Sequence, residues 1–229
     1  MTDQILEALP YWQALTEAEK SRVRETASVR CFYPGEILYG HNVSCIGMIH
    51  VLKGETRAYV LSREGREIQL FRVGQGDNCI LSAACVLAHI SFESTMVAAA
   101  FSEILVVPVT VFESLCEHNI HVRCFAYELA TRRFSTVMSV VQMILFSSLD
   151  ARLATYLFQE YQRNSGAPIR LTHEQIAQNI NSAREAVSRA LKRFSEDGLI
   201  ECGRGVIRIR DSQALRMRCE EQDCAQNPC

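Results

Sequence analysis

The chain has 229 residues and a mass of 25.8 kDa, enough for two modest domains or one large one with buried cores. Its 48% hydrophobic and 22% charged content excludes wholesale disorder. The net charge of −2 hides an uneven distribution: residues 1–149 hold 12 Lys and Arg against 15 Asp and Glu, residues 150–218 hold 12 against 8, and the last 11 residues hold three acids and no base.

A basic module between two acidic ones points to a polyanionic partner. The uncharged run 134–149 has 16 residues and includes four Ser, a Thr and a Gln. It is short and polar for a membrane span, which needs about 20 apolar residues. Met1-Thr2-Asp3-Gln4 has neither the basic nor the apolar region of a secretory signal. The expected location is cytoplasmic, without a membrane partner. There the ten Cys are read as metal, redox or packing residues rather than as a disulfide framework.

In chain order, Ile5 to Thr26 has a helical stripe of Leu6, Leu9, Trp12 and Leu15, broken at Pro10. From Val29 to Pro108 the pattern turns to short apolar runs between glycines. Cys45–Leu52 leads through Lys53-Gly54 into Thr56–Leu61, and a turn at Arg63-Glu64-Gly65 leads to Glu67–Phe71. Gly74-Gln75-Gly76-Asp77 makes the next turn, and Met96–Ala100 and Glu103–Val109 supply the last strands. This spacing predicts an antiparallel β-sandwich or barrel.

After Val111 the period is helical. Tyr127, Ala130, Phe134, Val137, Val141 and Ile144 recur at alternating steps of three and four, the seam of a coiled coil. A helix from about Asn119 to Ser147 is therefore expected to pair with its twin in a homodimer. A further helix, Leu149 to Arg163, with Asp150 able to cap it, ends at Asn164-Ser165-Gly166-Ala167-Pro168.

Thr172-His173-Glu174-Gln175 forms a capping box for a short helix ending near Ile180, and Asn181 suits the left-handed turn that follows. The next helix, from Ser182 or Ala183 to Phe194, separates cleanly on a helical wheel. Val187, Ala190, Leu191 and Phe194 share one arc, while Arg184, Glu185, Ser188, Arg189 and Lys192 occupy the other. A hairpin follows, Leu199–Cys202 and Val206–Ile209 about Gly203-Arg204-Gly205. Together these elements read as a winged helix-turn-helix for double-stranded DNA. Arginine forks onto guanine O6 and N7, and Glu185 can accept from cytosine N4. Lys192, Arg193 and Arg204 suit phosphates.

The chain resembles the CRP/FNR family of bacterial transcription regulators over nearly its whole length. The resemblance is carried by Pro34-Gly35-Glu36, Val51-Leu52-Lys53-Gly54, Arg63-Glu64-Gly65-Arg66-Glu67 and Gly74-Gln75-Gly76-Asp77. The long central helix, Ala183-Arg184-Glu185-Ala186-Val187-Ser188-Arg189 and Asp197-Gly198-Leu199-Ile200 complete it. It implies an α+β architecture: an N-terminal antiparallel β-roll (a jelly roll like the cyclic-nucleotide-binding domain), a long dimerisation helix and a C-terminal winged helix-turn-helix. The expected segments are 1–112, 113–148 and 149–218, with an acidic Cys-containing tail at 219–229. The resemblance also implies ligand-dependent binding to a palindromic promoter site and contact with RNA polymerase. Arg184, Glu185 and Arg189 match positions used by CRP-like members, and Glu185, Ser188 and Arg189 the trio of FNR-like members. Half-sites with a T-G-A core are expected, with Thr172 and Arg204 joining the DNA-binding set.

The sensor departs from the cyclic-nucleotide pattern. No Lys or Arg stands between Val73 and Val122, and a buried phosphate without a cation is costly, so cyclic AMP is disfavoured. Cys79 and Cys85 occupy that segment, and with Cys124 on the dimer helix they are candidates for a redox or effector site. Disulfide or persulfide chemistry, an iron–sulfur or other metal centre, and haem are the candidate forms. The FNR-type N-terminal cysteine cluster is absent, and the haem-ligating histidine position of the family's CO-sensing branch holds Ser82. Cys79 and Cys85 also fit as packing residues, with an uncharged small molecule in the β-roll or a constitutive DNA-binding regulator as the alternatives. No Gly-rich phosphate loop, Ser-His-Asp order or paired-carboxylate motif stands out, so an enzyme is not expected.

Overall fold

The computed structural model describes residues 3–40, 46–62, 67–80, 94–203 and 205–220. The turn at Arg63-Glu64-Gly65, Ser82, Cys85, Arg204 and the tail beyond residue 220 lie outside the described residues. Two compact units form, one reaching to Met138 and the other beginning at Ser139, with Glu67–Gln69 grouped with the second.

The opening stretch is helical in three pieces: α1 (Asp3–Leu6), a 3-10 turn (Trp12–Ala14) and α2 (Glu17–Thr26). Leu6, Leu9, Trp12 and Leu15 are buried together with Val23, Phe112 and Leu115 in one core. The chain bends after Leu15 because Thr16 ends one segment and caps the next. Its hydroxyl accepts from the Glu19 N–H at 3.3 Å, and the Glu19 carboxylate accepts from the Thr16 N–H at 2.7 Å.

Among the described residues, eight strands follow in two four-stranded antiparallel sheets. The first has the order β1 (Ser28–Phe32), β8 (Ser102–Val107), β3 (Met48–Lys53) and β6 (Asn78–Cys79). The second has β2 (Ile37–Tyr39), β7 (Thr95–Ala98), β4 (Glu55–Leu61) and β5 (Glu67–Gly74). Their inner faces bury Leu38, Ile49, Val51, Phe71, Met96 and Ile104. This is the jelly-roll layering expected of the N-terminal half. Gly54 turns β3 into β4 at φ +88°, and a Cβ there would meet the Phe101 carbonyl at 2.3 Å, so a side chain is excluded on both counts.

The strand expected to run to Val109 stops at Val107, because Pro108 caps α3 (Val109–His118). Helix α4 (Ile120–Phe146) follows, with Asn119 Oδ1 accepting from the His121 and Val122 amides. Along α4 the predicted seam needs correction. Val137 is half-buried against the β-sheet core, and Ala130 packs against the first core. The exposed apolar stripe is instead Ile120, Tyr127, Phe134, Met138, Val141 and Leu145, with Phe134 and Leu145 exposed to 66% and 67%. Tyr127, Phe134 and Val141 belong to both sets and lie seven residues apart with Ile120, while Ala130, Val137 and Ile144 of the predicted set are half-buried in the single chain.

In the second unit, α5 (Leu149–Arg163) is capped by Ser148, whose hydroxyl accepts from the Ala151 N–H at 3.2 Å. Asp150, expected in that role, instead takes the Arg193 guanidinium at 2.6 Å. Helices α6 (His173–Asn179) and α7 (Arg184–Glu196), strands β9 (Ile200–Gly203) and β10 (Val206–Ile209), and α8 (Ser212–Glu220) complete it. One core joins Leu153, Leu157, Ile176, Val187, Leu191 and Phe194.

Candidate nucleic-acid interface

Two helix ends set the geometry of the helix-turn-helix. Helix α6 closes with Asn181 at φ +53°, the Ser182 N–H reaching back to the Ala177 carbonyl at 2.9 Å. Helix α7 closes in the same way, with Gly198 at φ +76° and the Leu199 N–H bonded to Phe194 O at 3.0 Å. The Arg152 guanidinium donates to the carbonyls of Ile180 and Asn181, filling acceptors at the first of these turns. The tight turn that joins α6 to α7 is therefore held from inside.

The faces of α7 separate as the wheel predicts. Val187, Ala190, Leu191 and Phe194 are at most 1% exposed. Arg184, Glu185, Arg189 and Lys192 are exposed, and Ser188 is half-buried between them. Lys192 faces Glu196 at 3.8 Å, a weak exposed pair. Arg184 and Arg189 make no hydrogen bond or ion pair with a described residue. The N-terminus of α7 has Ala183 in the cap position and no side-chain cap, so its first amides point outward without a side-chain acceptor.

Thr172 sits at the N-cap of α6 and is exposed, as expected. Its hydroxyl accepts from the Gln175 N–H at 3.1 Å, and the Gln175 carbonyl accepts from the Thr172 N–H at 2.8 Å. Thr172 and Arg184 line a cleft of about 350 Å³ between α6, the start of α7 and the wing strands β9 and β10. Arg193 does not join this face, since Asp150 holds it.

Three residues escaped the reading of the sequence. Arg170 precedes α6 and Arg208 lies on β10. Both are exposed, and neither pairs with a described residue. The alternation of Arg208 with buried Ile207 was the available signal for an outward cation. His173, in the first turn of α6, lines the cleft and brings Nδ1 within 2.8 Å of Ser188 Oγ. No pattern in the sequence marks that pair, because it joins two helices across fifteen residues.

Two family models match the chain: a Crp-like helix-turn-helix domain over residues 151–218 and a cyclic nucleotide-binding domain over residues 29–119. A crystal structure from Eubacterium rectale, assigned to the CRP/FNR family of transcriptional regulators, is 33% identical. It covers 94% of this chain and 100% of its own, with a TM-score of 0.89. The chain belongs to the CRP/FNR family. Its CRP/FNR fold is shared at lower identity by FixK2 from Bradyrhizobium japonicum, 20% identical over 84% of this chain and 96% of that one, with a TM-score of 0.65. A CRP-like cAMP-activated global transcriptional regulator of Mycobacterium tuberculosis is 32% identical over 94 residues, which is 38% of this chain and 42% of that protein. The chain thus spans about two fifths of the length of that curated relative. Within the family, the unit just described is the Crp-like DNA-binding domain.

The candidate thiols of this CRP/FNR family member are placed differently from one another. Cys79 is fully buried in the sheet core, paired in register with Ile49. Cys124 is exposed on α4 and lines a groove of about 940 Å³ with Tyr11, Asp77, Glu128 and Arg132. Cys85 lies outside the described residues. Neither Cys79 nor Cys124 forms a disulfide with a described residue. Burial pushes the Cys116 thiol up to about 11 and raises Cys202 as well. Among the described residues, no group of three or more His, Cys, Asp and Glu could hold a metal ion. No helix among them is long and apolar enough to cross a membrane.

Two arginines beside the groove come from α4 rather than from the cation-free segment of the sequence. Arg133 donates to the Asn78 carbonyl at 2.9 Å and lies 4.7 Å from the Phe71 ring centroid, and Arg132 faces Glu128 at 3.7 Å. Arg133 is tied into the unit, whereas the Arg132 pair is as exposed and weak as that of Lys192.

Proposed function

We propose that this protein is a cytoplasmic, homodimeric transcription regulator that places α7 of each copy in the major groove of a palindromic promoter site and responds to a signal received by its N-terminal unit. The observation that carries the reading is the division of α7: an apolar back at most 1% exposed, and a front where Arg184 and Arg189 are exposed and unpaired among the described residues. Arginines held this way are ready to fork onto guanine, with Glu185 accepting from cytosine N4. Lys192, Arg204, Arg170 and Arg208 meet phosphates, which fix register and strengthen binding without reading sequence. The α7 amides and Thr172 add neutral donors to the same backbone.

The exposed heptad of α4 supplies the homodimer seam, and two-fold symmetry then sets half-sites about one helical turn, roughly 34 Å, apart. RNA polymerase is the further partner of a regulator of this kind. The expected half-site contains T-G-A. A gel-shift titration tests this reading: the full chain binds a palindrome with that core in preference to scrambled DNA of equal length. Equal affinity for both refutes it.

For the signal, the chain is effector- or redox-responsive through Cys79, Cys85 and Cys124, or it takes an uncharged small molecule with the cysteines structural. The full burial of Cys79 among Ile49, Phe71 and Met96 favours the second, because a thiol packed in an apolar core is unreactive. Cyclic AMP remains disfavoured, since no Lys or Arg stands between Val73 and Val122 and a buried phosphate without a cation is costly. Operator affinity that differs between aerobically and anaerobically purified protein would restore the redox reading. Equal affinity leaves the small-molecule sensor or a constitutive DNA-binding regulator.

A further inference from the structure

On the groove-reading front of α7, Ser188 stands one turn from both Arg184 and Lys192 and beside Arg189. It is also the member of that face with a side-chain partner on another helix: the imidazole of His173, Nδ1 to Oγ at 2.8 Å. A serine hydroxyl has one hydrogen and two lone pairs, so what it offers a base depends on what it has already given its neighbour. We propose that His173 is a positioning residue for base reading: its proton inventory decides whether Ser188 accepts from, or donates to, the base pair it faces. This rests on the DNA-binding reading above and adds to it a determinant of specificity.

The chemistry follows from the geometry. With Nδ1 committed to Ser188, the free edge of the imidazole is Nε2, and His173 lines the cleft beneath the wing. A phosphate in that cleft takes a hydrogen bond from Nε2–H, which leaves Nδ1 bare in the singly protonated ring. Nδ1 then accepts the Ser188 O–H, and the hydroxyl presents only lone pairs, suited to the amino groups of cytosine N4 or adenine N6. A second proton on the ring reverses this. Nδ1–H donates to Ser188 Oγ, and the freed hydroxyl hydrogen suits guanine O6 and N7 or thymine O4.

The charged groups around the pair are Glu174 on α6 and Arg184, Glu185 and Arg189 on α7. The wing residues described along the cleft, Gly203, Gly205, Val206 and Ile207, carry no titratable group. One operator position is thereby read differently according to which ring nitrogens of His173 carry protons.

The test is selection from a randomised half-site library, followed by gel-shift titration of every base at each position at pH 6 and pH 8. The full chain is used as wild type, His173→Ala, His173→Asn and Ser188→Ala. Asparagine keeps a polar group near the reach of Nδ1 but does not titrate. In the wild type, base preference at one position should change by about fivefold between the two pH values, the effect of one hydrogen bond gained or lost. His173→Ala and Ser188→Ala should lose preference at that same position, and the double variant should lose no more than either single one. His173→Asn should restore a preference that no longer moves with pH.

A His173→Ala loss spread evenly over all bases, or a pH shift that survives in His173→Asn, overturns the proposal. A wild-type motif that His173→Ala leaves intact overturns this inference alone. No wild-type motif at all overturns the DNA-binding reading together with it.

Discussion

The two units of the chain differ in how many of their arginines are left open. In the N-terminal unit the guanidinium groups hold the fold. Arg24 pairs with Asp3 and Arg72 with Glu55, Arg123 donates to the carbonyls of Cys116 and Glu117, and Arg133 bonds Asn78 and covers Phe71. In the C-terminal unit Arg152 and Arg193 do the same. Arg170, Arg184, Arg189 and Arg208, however, are exposed and unpaired among the described residues. An arginine bonded within its own chain has fewer donors, and less freedom to aim them, for a partner. Formal charge says where a polyanion could be attracted, whereas the pattern of commitments says which cations can make contact with it.

Substitutions can break this contrast. The largest effect is expected for Phe194→Ala, which removes the largest fully buried side chain of the C-terminal core and should cost about 3–5 kcal/mol of that unit's stability. Chemical denaturation followed by hydrogen exchange should show early opening of α6 and α7, with β3 and β8 unchanged. If protection falls equally in both units, they are not energetically distinct.

Arg189→Ala and Arg133→Ala form a matched pair. The first should cost about 1–3 kcal/mol on the selected operator with no change in melting temperature. The second should cost about 1–2 kcal/mol of stability, by orphaning the Asn78 carbonyl and uncovering Phe71, while operator affinity of the folded protein stays the same. The reverse result for either variant removes the distinction between committed and free arginines.

Arg208→Ala tests a residue found only in the structure. Binding should weaken by a similar factor on every sequence, and the dependence of log affinity on log salt should flatten by about 0.9. A loss confined to one base pair would make Arg208 a base reader instead.

The smallest effect separates two capping boxes of the same design. In the box at α2, burial raises the Glu19 carboxyl but is outweighed by the bonds from Thr16 and Asn119, so its pKa is held below the ordinary 4.5. A depressed acid contributes stability above its unfolded value and loses it as pH falls through the folded one. The box at α6 uses Gln175, which does not ionise. The difference in melting temperature between wild type and Glu19→Gln should therefore shrink from pH 7 towards pH 3. The difference for Gln175→Ala should stay constant, and a parallel decline in both would refute this assignment.

Much of this organisation was legible before any coordinates. Turn residues and apolar alternation gave the antiparallel half, and α5 lies where its periodicity placed it, from Leu149 to Arg163. The Thr172 box, the left-handed Asn181 and the division of α7 were equally readable, because each depends on residues within one or two helical turns. The errors share one cause. Asp150 fits a cap as well as Ser148 does until Arg193 arrives from forty-three residues away. Val137 fits a seam as well as Met138 does until a sheet covers one of them.

The sequence by itself marked the strands β3, β4, β5, β7 and β8, the helices α4 to α7 and the wing, and showed that one helix is apolar behind and cationic in front. These follow from backbone sterics, local capping and periodicity, which act over a few residues. Tertiary structure decided which charges are already in use, which side of α4 stays open, that Cys79 lies in a core and that His173 meets Ser188. Those outcomes depend on groups distant in the chain competing for one donor, acceptor or cavity, and only packing decides between them.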